Sequence, residues 1–263
     1  MRETFENIIC REQDGILTIT LNRPEVLNAL CLKMFDELSM VFHEAARDET
    51  IKVIIITGAG RAFCAGGDVK NDISMLSTMG TFELRGYIHT NVIKKIVEME
   101  KPVIAAINGI ATGGGFDIAL ACDIRFASER ARFSEIFAKM GIIPDLGGVY
   151  FLPRLIGLSK AKLLAFTGDI IDSREAERIG LVDKVFPENQ LMAAVEQLAR
   201  QLAKGPSKTI AMIKVAMNRS LSMDLNSSLD YTTNLQCLLV QTEDHKEAFK
   251  AFLEKRKPIF KGR

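Results

Sequence analysis

Two glycine-rich segments carry the pattern most suggestive of chemistry, because glycine lets a ligand approach backbone N–H groups closely. The first spans residues 108–117 (NGIATGGGFD) and the second spans residues 63–68 (FCAGGD). Each follows an apolar run that reads as a buried strand. The first also leads into a helical stretch, whose N-terminus carries positive partial charge. The pattern indicates a site for a phosphate or a developing oxyanion, with a tight strand–helix turn as the alternative.

Carboxylates close to these segments are the candidates for acid–base chemistry: Asp68, Asp117, Glu135 and Asp145. Asp68 ends the second segment, where a helix cap or a turn acceptor is its expected role. Asp145 lies in residues 141–148 (GIIPDLGG), whose proline and glycines place it on a defined turn. Capping of the following helix is the alternative role for Asp145. For Glu135, a solvated or paired surface position is the alternative to a place in the site.

Patterns for other common chemistries are not matched. Residues 58–63 (GAGRAF) begin like a dinucleotide-binding fingerprint, but Phe63 stands where glycine or alanine is required. Neither a Walker A sequence nor a metal-spaced cluster of histidine and cysteine is present. The histidines, His43, His89 and His245, lie in helical stretches and are expected to be structural. We therefore expect no metal site and no nicotinamide cofactor.

Composition places the chain among ordinary globular proteins. It has 263 residues, 48% of them hydrophobic and 25% charged, and a formal net charge of +1. The near-zero net charge creates no field that favours nucleic acid or a membrane surface. The five cysteines are widely spaced and form no C-x-x-C motif, which is typical of a reducing compartment. The apolar runs are far shorter than the roughly 20 residues of a membrane span. We expect a soluble, cytoplasmic protein.

The elements that must position these residues are short strands alternating with helices. The periodicities predict strands at residues 16–21, 53–57, 103–107 and 181–186, and helices at residues 28–47, 82–99 and 116–121. After Gly147 helical patterns dominate. Strands first and helices last indicate an α/β core followed by a helical subdomain. We place the core at residues 1–195 and the C-terminal helical subdomain at residues 196–263.

The pairing of RAFCAGGD (61–68) with KPVIAAINGIATGGG (101–115) resembles the crotonase superfamily, which includes enoyl-CoA hydratases and isomerases. The resemblance runs from LNRPEVLNAL (21–30) to AFLEKRKPIFKGR (251–263). It implies a ClpP-like spiral of repeated β-β-α units with a helical C-terminal subdomain, assembled as a homotrimer or a dimer of trimers. It also implies an acyl-CoA substrate, with coenzyme A entering as part of the substrate and no permanently bound cofactor.

The resemblance also implies roles for individual residues. By position, the N–H groups of Ala65 and Gly114 would donate to the thioester oxygen and form an oxyanion hole. Phe252 and Lys255 resemble residues that reach the CoA of a neighbouring subunit, and Arg23 matches a basic position near the CoA phosphates. The remaining positions expected to line the substrate or CoA site are Ala62, Cys64, Gly66, Gly67, Asp68, Gly113 and Phe137. Of these, Cys64 is expected to be a packed residue rather than a reactive thiol.

The acids decide which reaction the resemblance implies. Hydratases of this superfamily use two glutamates, and the matching positions here carry Asp117 and Phe137. The segment GIIPDLGGVYFLPRLIG (141–157) resembles bacterial isomerases that convert the ring epoxide of phenylacetyl-CoA to an oxepin. Those isomerases have a catalytic aspartate at the position of Asp145 and an aromatic residue at the position of Phe137. Dienoyl-CoA isomerases carry acids at the positions of Asp117 and Asp145 but a glutamate at that of Phe137.

The resulting prediction is an enoyl-CoA isomerase with Asp145 as acid/base and Asp117 in a secondary role. A single carboxylate in an apolar pocket can remove a proton from one carbon and return it to another. An enoyl-CoA hydratase that uses Asp117 and Asp145 is the alternative, with Glu135 a lesser candidate for the assisting acid. A more distant alternative is a non-catalytic member that binds RNA or acts as an assembly subunit. Acyl chain length, ring or linear substrate, and a place in fatty acid or aromatic degradation are left open.

Overall fold

The structure of the chain, a computed structural model, describes residues 5–69 and 78–263. Its first layer is a six-stranded sheet with the order β1-β2-β3-β5-β7-β10. The strands are β1 (Ile8–Gln13), β2 (Ile16–Leu21), β3 (Val53–Gly58), β5 (Val103–Ile107), β7 (Ile124–Ser128) and β10 (Lys184–Phe186). Strand β1 is antiparallel to β2, and the remaining neighbours pair in parallel.

A second, four-stranded sheet has the order β4-β6-β8-β9. Its strands are β4 (Ala62–Cys64), β6 (Ile110–Thr112), β8 (Arg132–Ser134) and β9 (Ile171–Asp172). Each of β3, β5 and β7 is followed closely by a strand of this second sheet, namely β4, β6 and β8. Because β4, β6 and β8 pair in parallel, the segments that follow them leave the same edge of the sheet. This repeated strand–strand unit is the predicted crotonase-type architecture, which is confirmed.

Helices cover the sheets and extend beyond them. They are α1 (Leu32–Arg47), α2 (Thr78–Ile88), α3 (Lys94–Glu98), α4 (Gly114–Ala121), α5 (Gly148–Ile156), α6 (Leu158–Thr167), α7 (Ser173–Arg178), α8 (Leu191–Ala203), α9 (Ser207–Ser220), α10 (Leu225–Leu239) and α11 (Glu243–Leu253). A π-helical turn (His89–Ile93) joins α2 to α3, and a 3-10 turn (Ile136–Met140) follows β8. Among the described residues, no helix is both long and apolar enough to cross a membrane.

The predicted strands and helices are present, with differences at their ends. The helix predicted from residue 28 begins at Leu32, because Leu27 and Asn28 have positive φ angles of 54° and 57°. The Asn28 amide instead donates to the carbonyl oxygens of Ala59 and Ala62, which fixes a turn beside β4. The helix predicted at residues 82–99 contains the π-helical turn, and the strand predicted at 181–186 is reduced to β10.

The six-stranded sheet is buried on both faces because alternate side chains of its strands enter different clusters. Ile54 and Ile56 of β3 pack in the larger cluster with α1, whereas Ile55 packs in a smaller cluster with Val195 and Ala199 of α8. Helix α8 therefore belongs to the sheet layer. The predicted division between residues 195 and 196 falls inside this helix.

The last helices are far less covered. None of the residues of α10 is buried, and large apolar side chains of α10 and α11 are exposed, among them Leu225, Leu229, Leu238 and Phe249. In α11 the buried residues are Asp244 and Ala251. This part of the chain contributes little to the core that supports the two glycine-rich segments.

Candidate active site

The two glycine-rich segments lie side by side, as their positions after buried strands predict. Strands β4 and β6 pair in parallel, with Cys64 opposite Ala111. At Gly66, which has φ +97°, an added Cβ atom would lie 3.0 Å from the carbonyl oxygen of Thr112 and 3.7 Å from the nitrogen of Gly114. The Thr112 hydroxyl donates to the carbonyl oxygen of Ala65 at 2.9 Å. The backbones of the two segments are therefore in direct contact.

The free N–H group of the second segment (residues 63–68) is not the predicted one. The N–H of Ala65 donates to the carbonyl oxygen of Leu27 at 3.0 Å, so the prediction of Ala65 as an oxyanion donor is wrong in this conformation. One parallel bridge fixes the orientation of the next residues: Leu30 donates to the Gly66 carbonyl and accepts from the Asp68 N–H, each at 2.8 Å. Since N–H groups alternate along an extended chain, the N–H of Gly67 points away from Leu30.

Gly114 supplies the second free N–H group. It is the first residue of α4, where backbone N–H groups have no partner within the helix. Within residues 5–69 and 78–263, no acceptor contacts the N–H of Gly67 or of Gly114. Two unpaired backbone donors therefore flank the contact between the segments, with Gly67 in the place predicted for Ala65.

Both donors open into one cavity of about 340 Å³. Its wall is mostly apolar, and the lining residues include Leu30, Phe35, Ala65, Gly66, Gly67, Gly113, Gly114, Phe137, Ile142 and Leu146. Arg85 and Asp145 also line it. Of the described residues that line this cavity, Asp145 alone carries a carboxyl group. The cavity thus combines free N–H donors, an apolar surface and one carboxylate.

Asp145 is held by two residues from the helical segment between β4 and β5. The Arg85 Nε lies 2.6 Å from Asp145 Oδ2, although the N–H is not aligned for a hydrogen bond. The imidazole of His89, through Nε2, donates to the Asp145 carbonyl oxygen at 2.6 Å. The side chain of Asp145 is 25% exposed, and its buried Oδ1 accepts no hydrogen bond from any described residue. Among these residues, Asp145 therefore has one oxygen against a cation and one without a donor.

Asp117 lies behind the cavity wall and is fully buried. Its Oδ2 accepts the N–H of Leu146 at 3.1 Å, and the N–H of Gly148 also contacts the carboxyl group. Burial, together with the nearby negative charge of Asp145, raises the pKa of Asp117 to about 7, although backbone N–H groups oppose the rise. The predicted secondary acid thus contacts the segment that carries Asp145 rather than the cavity itself.

Glu135 is a third acid of this region and is also fully buried. It precedes the 3-10 turn as its N-terminal flanking residue. Burial and the negative charge of Asp117 raise the pKa of Glu135 to about 9, and a hydrogen bond with Asp117 favours its protonated form. The expectation of a solvated or paired surface acid was therefore wrong for Glu135.

The other predicted substrate residues divide into cavity and packing positions. Ala62 and Cys64 are fully buried in β4 and do not line the cavity. Burial raises the pKa of the Cys64 thiol to about 12, which agrees with the prediction of a packed residue. Arg23 donates to the Ala29 carbonyl at 2.7 Å and to Asp68 Oδ2 at 2.9 Å, so Asp68 is an ion-pair partner. Phe252 is 79% exposed on α11.

Lys255, just after α11, is exposed as well and has φ +52°. Neither it nor Phe252 lines the cavity, so their predicted contact with a neighbouring subunit's CoA stays a prediction. Sequence reasoning missed Arg85 entirely, because one arginine in a helix gives no motif. It named Gly67 only as a substrate contact, although the alternation of N–H directions after β4 is a signal that could distinguish Ala65 from Gly67.

Comparison with known proteins agrees with this geometry. The family model described as enoyl-CoA hydratase/isomerase matches residues 11–263. The short-chain-enoyl-CoA hydratase of Clostridium acetobutylicum is 39% identical over 96% of this chain and 97% of its own length. The 1,2-epoxyphenylacetyl-CoA isomerase of Escherichia coli is 36% identical over 98% of this chain and 100% of its own length.

Solved structures agree in fold. The enoyl-CoA hydratase of Bacillus anthracis superposes with a TM-score of 0.94 at 35% identity, covering 98% of this chain and 100% of that one. The enoyl-CoA hydratase of Mycobacterium smegmatis gives a TM-score of 0.92 at 30% identity, covering 97% of this chain and 99% of that one. With these matches over nearly its whole length and two free N–H donors at one cavity, the chain belongs to the enoyl-CoA hydratase/isomerase family of the crotonase superfamily.

Proposed function

We propose that this enzyme is an enoyl-CoA isomerase that shifts a double bond of an acyl-CoA thioester, with Asp145 as the acid/base. The observation that carries the proposal is that Asp145 alone, of the described residues lining the cavity, has a carboxyl group. A 1,3-shift of a proton needs one group that takes the proton from one carbon and returns it to another. A hydration needs a positioned water and, in general, a second acid at the same point.

The oxyanion hole in this proposal consists of the N–H groups of Gly67 and Gly114. Both donors are unpaired and belong to backbone segments in direct contact, so one thioester oxygen can accept from both. Removal of one such donor costs roughly 3–4 kcal/mol of transition-state stabilisation. Gly66, Gly113 and Phe137 would then surround the thioester and the first carbons of the acyl group.

The chemical step needs no group from outside the cavity and the substrate. Asp145 removes a proton from the carbon adjacent to the double bond or to the thioester, and the electron pair moves toward the thioester oxygen. Gly67 and Gly114 stabilise the resulting dienolate. The protonated Asp145 then returns the same proton to the other end of the conjugated system. Arg85 and His89 hold the side chain and the backbone of Asp145 in place during both transfers.

Hydratase activity is the second candidate, and one observation favours it. The charge of Asp145 raises the pKa of Asp117, so two carboxyl groups lie within electrostatic range of each other. The family includes proteins named as hydratases, and several of the similar proteins carry that name. However, Asp117 is not in the cavity wall, its Oδ2 accepts the N–H of Leu146, and its carboxyl group also contacts the N–H of Gly148.

We also propose that copies of this chain assemble as a trimer or a dimer of trimers through the C-terminal helices. The exposed apolar side chains of α10 and α11 would then be covered, and Phe252 and Lys255 could reach the CoA of a neighbouring subunit. Sedimentation equilibrium tests the assembly. A monomer with full activity at nanomolar concentration would contradict both the assembly and the shared CoA contact.

Product analysis with 3-enoyl-CoA and crotonyl-CoA thioesters tests the reaction. We expect 3-enoyl-CoA to give the 2-enoyl isomer of unchanged mass, and crotonyl-CoA to give little product heavier by one water. The Asp145→Asn variant should lose roughly 10²–10⁴-fold in turnover. Asp169→Asn is the matched control, because Asp169 is an exposed carboxylate paired with Lys139. Near-full isomerase turnover by Asp145→Asn, or hydration as the faster reaction of the unmodified enzyme, would contradict the proposal.

A further inference from the structure

Asp117 and Glu135 form a pair of buried acids, and neither makes an ion pair with a described residue. Asp117 Oδ1 and both carboxyl oxygens of Glu135 are buried and accept no hydrogen bond from any described residue. Both side chains are fully buried. Two adjacent ionised carboxylates in such a site would be strongly unfavourable, because desolvation and like-charge repulsion both act against them. The pair is therefore expected to retain one proton.

Gly148 shows how closely the two carboxyl groups are packed. A Cβ atom added at Gly148 would lie 2.5 Å from Asp117 Oδ1 and 2.7 Å from Glu135 Oε1. Both oxygens thus face the same small space beside the Gly148 backbone. A residue larger than glycine at position 148 would displace one or both carboxyl groups.

The same pair is connected to the segment that carries the proposed base. Asp117 Oδ2 accepts the N–H of Leu146, the residue directly after Asp145. The N–H of Gly148 also contacts the Asp117 carboxyl group. An ionised Asp117 therefore fixes residues 146 and 148 from behind, while Arg85 and His89 hold Asp145 from the opposite side.

We propose that Glu135 remains a carboxylic acid, donates its proton in a hydrogen bond to Asp117, and through Asp117 positions the segment that carries Asp145. Glu135 and Asp117 are positioning residues, since neither lines the cavity in which the substrate would bind. The inference rests on the proposed role of Asp145. It adds two acids that act behind the site and that hold one proton between them throughout the reaction.

The titration of the pair agrees with this arrangement. The pKa of Asp117 is raised to about 7 and that of Glu135 to about 9, so one proton is shared between these pH values. Of the described charged groups, Asp145 acts on Asp117, and Arg85 pairs with Asp145. Lys162 of α6 lines with Glu135 a separate cavity of about 180 Å³.

The pH dependence of turnover should follow the number of protons on the pair. Below about pH 7 a second proton neutralises Asp117 and weakens its bonds to the N–H groups of Leu146 and Gly148. Above about pH 9 Glu135 ionises, its hydrogen bond to Asp117 is lost, and the two carboxylates repel each other. Turnover is therefore expected to be highest between these limits.

Two variants at position 135 separate hydrogen bonding from simple space filling. Glu135→Gln keeps an N–H donor for Asp117 but cannot ionise, so turnover at pH 8 should stay within about threefold of the unmodified enzyme, and the decline above pH 9 should disappear. Glu135→Leu keeps the volume but removes the donor, so kcat should fall by at least tenfold with a smaller change in KM. Equal kcat and equal pH profiles for all three proteins would overturn the inference.

Infrared difference spectroscopy of the substrate-free protein gives a readout that does not depend on activity. At pH 8 the unmodified enzyme and Asp145→Asn should both show the carbonyl band of a buried protonated carboxylic acid, and Glu135→Gln should lack it. Absence of the band from the unmodified enzyme would overturn the inference even if Glu135→Leu fails to fold. Full turnover by Asp145→Asn with the band intact would instead refute the proposed function and leave the shared proton established.

Discussion

The three consecutive glycines of the first segment (residues 108–117) have different surroundings, so alanine substitutions there should have graded effects on stability. At Gly115 an added Cβ atom would lie 2.4 Å from the Cys64 carbonyl oxygen and 2.6 Å from its Sγ. At Gly114 the nearest atoms are side-chain carbons of Leu146 and Leu30, at 3.0 and 3.3 Å. At Gly113 the nearest atom is 3.6 Å away, but its φ is +52°.

These distances decide the expected order. In Gly115→Ala the backbone of β4 or α4 must move, so the loss should exceed the ordinary cost of overpacking and reach about 3 kcal/mol or more. Gly113→Ala places a side chain at φ +52° and ψ −131°, a conformation nearly restricted to glycine, at a cost of about 1–3 kcal/mol. In Gly114→Ala two leucine side chains can shift, and alanine in a helix regains about 0.5–1 kcal/mol, so the net change should be small.

Urea unfolding followed by circular dichroism measures the free energy of unfolding of each variant. Gly86→Ala in α2 is the matched control, because no atom of the described residues lies within 4 Å of its added Cβ. This variant should stabilise the protein by about 0.5–1 kcal/mol. If Gly115→Ala unfolds at the same urea concentration as the unmodified protein, or is more stable than Gly114→Ala, the close packing of α4 on β4 is incorrect. The two glycine segments could then not share one thioester oxygen.

Three further substitutions test charged groups, two of them at or behind the active site and the third at Lys214, which does not line its cavity. Arg85→Met removes the cation beside Asp145. Because the base is then misplaced, kcat should fall roughly tenfold or more, while urea unfolding stays nearly unchanged. An unaltered kcat would contradict the positioning role of Arg85. The folded-state pKa of Glu135 lies above its unfolded value, so folding binds a proton and stability falls as pH rises from about 4.5 to about 9. At about 1.4 kcal/mol per pKa unit, this loss of folding stability amounts to several kcal/mol. The stability of Glu135→Gln should therefore rise relative to that of the unmodified protein between pH 5 and pH 9. Equal pH dependence of unfolding in the two proteins would argue against a buried acid. Lys214 lies 2.7 Å from Asp123 Oδ2 and is buried, so Lys214→Met should cost about 3–5 kcal/mol in urea unfolding by leaving Asp123 unpaired; a cost below 1 kcal/mol would show that the pair is solvated.

The sequence predicts the sheet and the location of the site because apolar runs and glycines act locally. The strands at 16–21 and 103–107 agree with β2 and β5 at both ends, and the two glycine turns meet as their places after parallel strands require. The direction of the N–H groups after β4 could not be predicted from the sequence. A step of one residue reverses the direction of an N–H group, and the bridge between Leu30 and Gly67 that fixes this direction depends on a contact between distant residues.

The same limit explains why Glu135 was misplaced and why Arg85 was missed. Glu135 follows β8 directly, and in a regular strand its surroundings could be inferred from alternation. Instead it has φ −86° and ψ 66°, leaves the strand, and turns into the interior. The pairing of Arg85 with Asp145 joins a helix before β5 to a loop before α5, and no local pattern records such a contact.

The distribution of acids across the cavity wall bears on the choice between isomerase and hydratase. A hydratase must hold a water near the double bond, and a water needs several polar partners. Within the described part of the cavity, the polar groups that could hold a water are limited to the Asp145 carboxylate, the Arg85 guanidinium and backbone groups. Phe137, Ile142 and Leu146 present apolar surface. Asp117, the other acid that could orient a water, is already engaged by the N–H groups of Leu146 and Gly148. A site that keeps one carboxylate at the substrate and two acids behind it is better suited to moving a proton between carbons than to adding water.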